Sequence, residues 1–372
     1  HRRREGTLVH RRRRLRGNDG AGRVVAVARL DRPLLLAQAV KPAIARMIDE
    51  GYDFDLIDAH YFYPDGVAAA MLARAFNKPL VITARGSDIT LFPQYALPRR
   101  QILSAARRAD GIITVCNALR DEIVAMGIDA DRVVSLRNGV DLQLFHPPAE
   151  RRPDPMFTLL AVGHLVPVKA QDLIIGALPL LPGVRLVLAG DGPDRAKLEN
   201  LARELKVLER VTFLGAVPQA QLPAHYGAAD ALVLSSSREG WANVLLESMA
   251  CGTPVVASRV YGTPEVVAAP EAGVLMRERS YQGVADAVNQ LRANYPDRAA
   301  TRRYAERFSW DDTTEGQLRL FDDVLARRAG VLARLAVPKA VNPPCIVDRD
   351  IAASQFSRPP SWFGIHSPAR RE

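Results

Sequence analysis

Glu239 and Glu247 stand eight positions apart in the stretch Glu239-Gly-Trp-Ala-Asn-Val-Leu-Leu-Glu247, which runs on through Ser248-Met-Ala-Cys-Gly252-Thr-Pro-Val255. Gly240 lets the backbone there come close to a ligand at little steric cost, because it has no Cβ. Asn243 has the chemistry of an N-cap and Gly252 that of the residue closing a helix of about two turns. On that reading the amides of Val244 and Leu245 are unpaired at a helix N-terminus and face an anion, aided by the helix dipole. Glu239 stays in the loop beside that anion, and Glu247 sits roughly one turn inside the helix. Amides for a diphosphate, one carboxylate for ribose hydroxyls and one for a sugar together suit a nucleotide-sugar. In isolation the two glutamates would read as a solvated turn residue and a helical surface residue, so the surroundings decide.

Lys169 follows the strand-end Gly163 by six residues, at the start of an expected helix. An ammonium held there can meet the charge that builds on a departing diphosphate. Asp53-Phe-Asp55 and Asp129-Ala-Asp131 have the spelling of a divalent-ion pair, but both fall at strand entrances, away from any crevice. No His/Cys/Asp grouping has transition-metal spacing, so neither a metal nor a resident cofactor is expected. There is no Gly-x-Ser-x-Gly elbow and no Cys/His pairing of a hydrolase. Gly17-Asn-Asp-Gly20-Ala-Gly22 precedes the apolar run Val24 to Ala28, whereas a phosphate loop would follow it.

The elements that must hold these residues alternate along the chain. Helices are expected at Pro33 to Glu50, Asp65 to Phe76, Arg99 to Ala109 and Asn117 to Met126. Strands are expected at Phe54 to His60, Pro79 to Thr83, Gly111 to Val115 and Arg132 to Leu136. Leu35, Ala39, Ile44 and Met47 are the expected apolar face of the first helix. Arg137 to Glu150 is rich in turn formers and reads as a linker. In the second half, apolar runs at Thr158 to Gly163, Arg185 to Ala189, Arg210 to Leu214, Ala231 to Leu234 and Pro254 to Ser258 are separated by helical segments such as Asp194 to Leu205. The fold class is therefore α/β: two doubly wound, Rossmann-like domains facing across a cleft. His164, Gly190, Gly215, Ser235 and Arg238 all follow strand ends of the second domain, the edge where ligands bind in such folds. Pro296 to Phe308 and Asp311 to Leu325 read as terminal helices.

With 372 residues, 48% of them hydrophobic, the chain can bury two cores of ordinary domain size. The net charge of +9 is concentrated in eight arginines between His1 and Arg16. That arm lacks interleaved aromatics and any helical period, so it is expected to be solvated and disordered and not to bind nucleic acid. Contact of the arm with an anionic membrane stays open. Three widely spaced cysteines, Cys116, Cys251 and Cys345, suit a reducing cytoplasm.

Residues from about Pro33 to Leu325 resemble glycosyltransferase family 4, and among its members the bacterial exopolysaccharide and lipopolysaccharide type. The resemblance lies in the Glu-x7-Glu pattern with its Ser248-to-Val255 sequel, and in Ala84-Arg-Gly-Ser-Asp88 and Arg137-Asn-Gly-Val-Asp141 with Phe145 and Pro147. Ala161-Val-Gly-His-Leu-Val-Pro-Val-Lys169, Ala189-Gly-Asp-Gly-Pro193, Phe213-Leu-Gly215 and Gly262-Thr-Pro-Glu265 complete it. The resemblance implies the GT-B fold, in which the last helix crosses back to the first domain. It implies transfer of a hexose from a UDP- or GDP-linked donor to a saccharide or lipid-linked saccharide, with retention of configuration.

The donor site would then comprise His164, Lys169, Gly190, Gly215, Glu239, Gly240, Asn243, Val244, Leu245 and Glu247, with His60, Arg85 and Asp88 facing it from the first domain as further catalytic candidates. His164 stands where the family has Arg, and Arg85 where it often has His; an arginine there suits an anionic sugar or phosphate, and His60 is a candidate general base. Nothing before Pro33 reproduces the family's first strand and Gly-rich loop, so the first domain is expected to be incomplete and the start truncated or misread. The expected divisions are a disordered arm at 1–22, domains at 23–145 and 146–295, terminal helices at 296–332 and a disordered tail at 333–372. The expected setting is cytoplasmic, with peripheral contact at the inner membrane face. A truncated, non-catalytic nucleotide-binding or pairing chain, or a GT-B sugar-nucleotide epimerase, is the alternative.

Overall fold

A computed structural model describes residues 31–52, 54–150 and 155–335. The basic arm, the apolar run at 24–28, Asp53, Cys345 and the tail beyond Leu335 lie outside the described residues.

The first half builds a parallel sheet in the order β1-β2-β3-β4, from Ile57–His60, Leu80–Ala84, Gly111–Thr114 and Val133–Ser135. Every residue of β2 and β3 is buried, which is why these strands are unbroken apolar or small runs with no alternation. Helices α1 (Arg32–Asp49), α2 (Val67–Phe76), α3 (Ser87–Thr90), α4 (Ala96–Arg108) and α5 (Asn117–Ala125) cover it. The regular part of α2 starts two residues later than expected, after a wide turn over Phe62–Gly66. The face of α1 also differs from the expected one. Leu36, Ala37, Val40 and Ile44 pack on Ala68 and Leu72, while Leu35, Ala39 and Met47 are exposed. Leu34, Leu35 and Leu36 are consecutive, so apolar residues encircle the first turn and the pattern does not set the helix phase.

The second sheet contains β5 (Phe157–Val162), β6 (Val184–Ala189), β7 (Val211–Gly215), β8 (Ala231–Leu234), β9 (Val255–Ala257) and β10 (Gly273–Leu275), all parallel, in the order β10-β9-β8-β5-β6-β7. It is covered by α6 (Gln171–Ala177), α7 (Arg195–Glu204), α8 (Leu222–Ala228), α9 (Asn243–Ala250), α10 (Thr263–Val266) and α11 (Tyr281–Ala293). Strand β10 is not among the expected strands: it is an edge strand whose three residues are only partly buried. Strand order reverses between β5 and β8, which creates a crevice beyond their carboxyl ends. Lys169 follows β5 and Glu239 follows β8.

Both sheets belong to one compact unit ending at Ala326. A single buried cluster holds Ile82 and Ile112 of the first sheet with Leu232, Leu234 and Val255 of the second, through Cys116 and Trp241. After α12 (Arg298–Ala305), helix α13 (Trp310–Leu335) returns to the first sheet, where Val324 is buried with Val81 and Ile113. It continues to Leu335, into the stretch expected to be a disordered tail. The two connections between the sheets touch, the Val140 N–H donating to the Phe308 carbonyl at 3.0 Å. No helix among the described residues is long and apolar enough to cross a membrane.

Candidate active site at the seam between the sheets

Lys169 and Glu239 meet at the switch point, Nζ donating to Oε1 at 2.6 Å. The pair is partly withdrawn from water, its side chains 28% and 11% exposed, so the contact is a strong charge-assisted bond. The loop carrying Lys169 is sewn to the end of β8. Ser235 Oγ donates to the carbonyls of Lys169 and Ala170 at 3.0 and 2.7 Å, and the Ser237 N–H donates to Val168 O at 2.8 Å. On its other side, the Leu165 N–H donates to Asp191 O and the Gly190 N–H donates to Gly215 O, at 2.9 and 2.8 Å. Gly190 and Gly215 thus brace this loop from β6 and β7. His164 is exposed at its tip; its carbonyl accepts from Gln171 Nε2, and its ring has no partner among the described residues.

Helix α9 begins one residue earlier than the sequence suggested. Its N-cap is Ala242, with no side-chain cap, and Asn243 is the first helical residue. The Leu245 N–H is already bonded to Ala242 O at 3.0 Å, so Leu245 offers no free amide. The unbonded N–H groups of the first turn are those of Asn243 and Val244, a shift of one position from the expected pair. The helix closes as expected at Gly252, φ +78°, with Gly252 N–H to Met249 O and Thr253 N–H to Ser248 O at 2.8 and 3.0 Å. Glu247, in the middle of α9, is half-buried, and its Oε2 accepts the Tyr226 hydroxyl at 2.7 Å. Burial raises its carboxyl above the usual range, and the Tyr226 hydrogen bond opposes the rise.

Gly240 corrects another expectation. A Cβ there would lie 1.9 Å from the Arg85 carbonyl oxygen, so the close approach is to first-domain backbone and not to a ligand. On the first-domain side, Asp58, His60 and Arg85 form a hydrogen-bonded row. Arg85 Nη2 donates to His60 Nδ1 at 2.7 Å, which requires an unprotonated Nδ1, and His60 Nε2 faces Asp58 Oδ2 at 3.3 Å. Both ring nitrogens are engaged, so His60 is not a free general base here. Arg85 Nη1 continues the row to Asn138 Oδ1 at 3.4 Å, and Asn138 Nδ2 donates to Asn243 Oδ1 at 3.0 Å. The row runs from the end of β1 to the first turn of α9.

Asp88 does not face the cleft. It is fully buried, with Oδ2 accepting the Phe62 N–H at 2.8 Å and Oδ1 accepting the N–H groups of Gly86 and Arg85 at 2.7 and 3.1 Å. Burial raises its carboxyl, against the pull of these amides. Asp88 shapes the loop that presents Arg85. Burial also pushes the Cys116 and Cys251 thiols up, to about 11 and about 12, which leaves them unreactive at neutral pH.

Three participants escaped the sequence reading. Asn138 lay inside a segment taken for a linker, although it stood in a quoted motif. Glu265, also in a quoted motif, ties the sheets by accepting the Ala118 N–H and the Arg137 guanidinium at 3.1 and 2.9 Å. Tyr226 carried no signal beyond an apolar position on α8. Among the described residues no group of three or more His, Cys, Asp or Glu side chains could hold a metal ion.

Residues 144–308 match the family described as glycosyl transferases group 1, and residues 4–144 match glycosyltransferase family 4. The second match starts well before Pro33, where the motif resemblance begins; residues 4–30 lie outside the described residues. The chain is 31% identical over 304 residues to D-inositol 3-phosphate glycosyltransferase of Mycobacteroides abscessus, covering 75% of this chain and 68% of the relative. The Mycobacterium bovis protein of that name is 32% identical over 302 residues, and the chain spans 62% of its length. Among solved structures, sucrose-phosphate synthase from Thermosynechococcus elongatus matches with a TM-score of 0.71 and 25% identity, over 83% of this chain and 82% of that one. HepE of Anabaena in complex with UDP matches in fold, with a TM-score of 0.66 and 22% identity, over 78% of this chain and 82% of its own. Two such matches end to end, a relative this similar over two thirds of its length and a shared pair of facing parallel sheets leave one assignment: the chain belongs to the family 4 glycosyltransferases and has the GT-B fold.

Proposed function

We propose that the chain transfers a hexose from a UDP- or GDP-linked donor to a saccharide or lipid-linked saccharide acceptor, with retention of anomeric configuration, in the synthesis of a cell-surface polysaccharide at the cytoplasmic face of the membrane. The observation that carries this reading is the Lys169–Glu239 contact at the strand-order reversal, opposite the Arg85 loop of the first domain. The Lys169 ammonium and the Asn243 and Val244 amides hold the diphosphate, and Glu247 accepts hydrogen bonds from ribose. Glu239 directs Lys169 and orients the hexose. As the bond from the anomeric carbon to the phosphate oxygen breaks, the acceptor hydroxyl attacks from the same face and its proton passes to the leaving diphosphate. Both His60 nitrogens are engaged, so His60 is not free to take that proton. Preorganised donors aimed at developing charge account for roughly 10²–10³ in rate, which supplies what a metal ion would otherwise provide.

The test is turnover of UDP- and GDP-hexoses with saccharide acceptors in EDTA, the product anomer being read by NMR. The resemblance to D-inositol 3-phosphate glycosyltransferases makes that polyol phosphate the first comparison acceptor. The expected result is a retained anomer, EDTA-resistant turnover, and a loss of about 10²–10³ in kcat for Lys169→Met. Nucleotide binding without transfer would mark a non-catalytic chain. Inverted product, or loss in EDTA restored by magnesium, would overturn the mechanism.

A further inference from the structure

Tyr226 is the largest fully buried side chain among the described residues, and its one polar atom is spent on Glu247. It lies on α8 with its ring edge-on to Phe145, centroids 6.0 Å apart, and its carbonyl accepts Thr253 Oγ1 at 2.6 Å. The ring cannot swing away without opening the buried cluster that it shares with Phe145, Leu246 and Met249. Its hydroxyl donates to Glu247 Oε2 at 2.7 Å, whereas Oε1 has no partner among the described residues. Nor does any cation there lie within ion-pair distance of Glu247. A half-buried carboxylate without a counter-cation depends on its hydrogen-bond donors to stay ionised and to keep one orientation.

We infer that Tyr226 is a positioning residue for the donor nucleotide, its hydroxyl fixing Glu247 so that Oε1 is held ready to accept from the ribose hydroxyls. The inference rests on the reading of Glu247 as the ribose acceptor. A phenol is suited to this task because it is rigid and donates a single hydrogen bond. It holds one carboxylate oxygen and does not neutralise the charge that the diol needs. A lysine or arginine at that place would pair with the carboxylate and compete with the ribose.

The experiment measures affinity calorimetrically for UDP and GDP and for their 2′,3′-dideoxy counterparts, in the full chain and in Tyr226→Phe. Wild type should prefer ribose to dideoxyribose. Tyr226→Phe should lose about tenfold in affinity for the ribonucleotide and nothing for the dideoxy form, the size expected for one charge-assisted bond. A merely structural defect would weaken both nucleotides together, so the ratio reports positioning and not folding. Glu247→Asp, which withdraws the carboxylate from the phenol by one methylene, is the second variant and should reduce the same ratio. If wild type binds neither nucleotide, or binds both sugar forms equally, the reading of Glu247 fails and takes the inference with it. If wild type discriminates and Tyr226→Phe discriminates equally well, the inference alone is overturned.

Discussion

The side-chain amide of Asn138 donates to Oδ1 of Asn243 at 3.0 Å, joining the first connection between the sheets to the first turn of α9. Asn138 is buried, and its own Oδ1 receives Arg85, so one residue couples the first-domain row to the helix that would hold the diphosphate. Removal of the Asn138 amide should therefore both loosen the seam and leave Arg85 Nη1 without its partner, with only the Nη2 bond to His60 remaining. Asn138→Ala is expected to destabilise the fold by roughly 1–3 kcal/mol, the range for stranding a buried polar partner. Asn243→Ala, at an exposed position, should fall at the low end of that range. A double-mutant cycle by urea unfolding measures the coupling; additivity would show that the bond does not join the sheets energetically.

Gly240→Ala places a methyl 1.9 Å from the Arg85 carbonyl oxygen, well inside contact distance. Backbone cannot rotate out of the way as a side chain can, so the two domains must separate locally. The expected cost is about 1–3 kcal/mol, by analogy with overpacking in cores, with a larger fractional loss in kcat than in nucleotide affinity. Thermal melting together with steady-state kinetics tests this. An unchanged kcat would mean that the seam can open without consequence.

Stability should depend on pH through Glu247. Burial lifts its carboxyl above the usual range, so the folded chain keeps that proton to higher pH than the unfolded chain does. The corresponding stability is complete below the ordinary glutamate value of about 4.3 and is lost as pH rises through the raised one. Glu247→Gln has no such ionisation. Its melting temperature should exceed that of wild type at pH 7.5 and converge with it toward pH 4, while nucleotide binding weakens by roughly 1–3 kcal/mol. A variant that melts lower than wild type across the whole range would contradict this account.

His164 is exposed at the tip of the loop after β5, five residues before Lys169. An arginine can be accommodated there without disturbing packing, and it would supply a permanent forked donor. His164→Arg should bind UDP or GDP more tightly at pH 8, on the order of 1 kcal/mol for one charge-assisted contact, with no fall in melting temperature. Unchanged affinity at pH 8 would remove position 164 from the diphosphate site.

Much of this could be read from residue order alone, because it depends on local chemistry. Unbroken apolar runs mark strands buried on both faces, and the parallel order follows from their alternation with helices. The Schellman closure at Gly252 needed only a glycine after a short apolar helix. Lys169 could be singled out from its position after a strand end, and Glu239 from its place before a short helix eight positions from Glu247. Their contact could not, because 70 residues separate them and only the adjacency of β5 and β8 brings them to 2.6 Å.

The errors have the same origin. Asn243 has the chemistry of a cap, but a partner from another connection, Asn138, takes its side chain, and the N-cap position falls on Ala242 instead. Gly240 signalled a close approach, yet the group approached was Arg85 of the other domain. Asp88 was expected to face the cleft and is buried, because three backbone amides from two loops replace water around it. Local sequence fixes propensities within a few residues; partners arriving from distant strands are set by strand order and domain closure. Glu247 shows the difference most plainly: its place in α9 follows from the helix that carries it, and its restraint comes from a tyrosine on another helix.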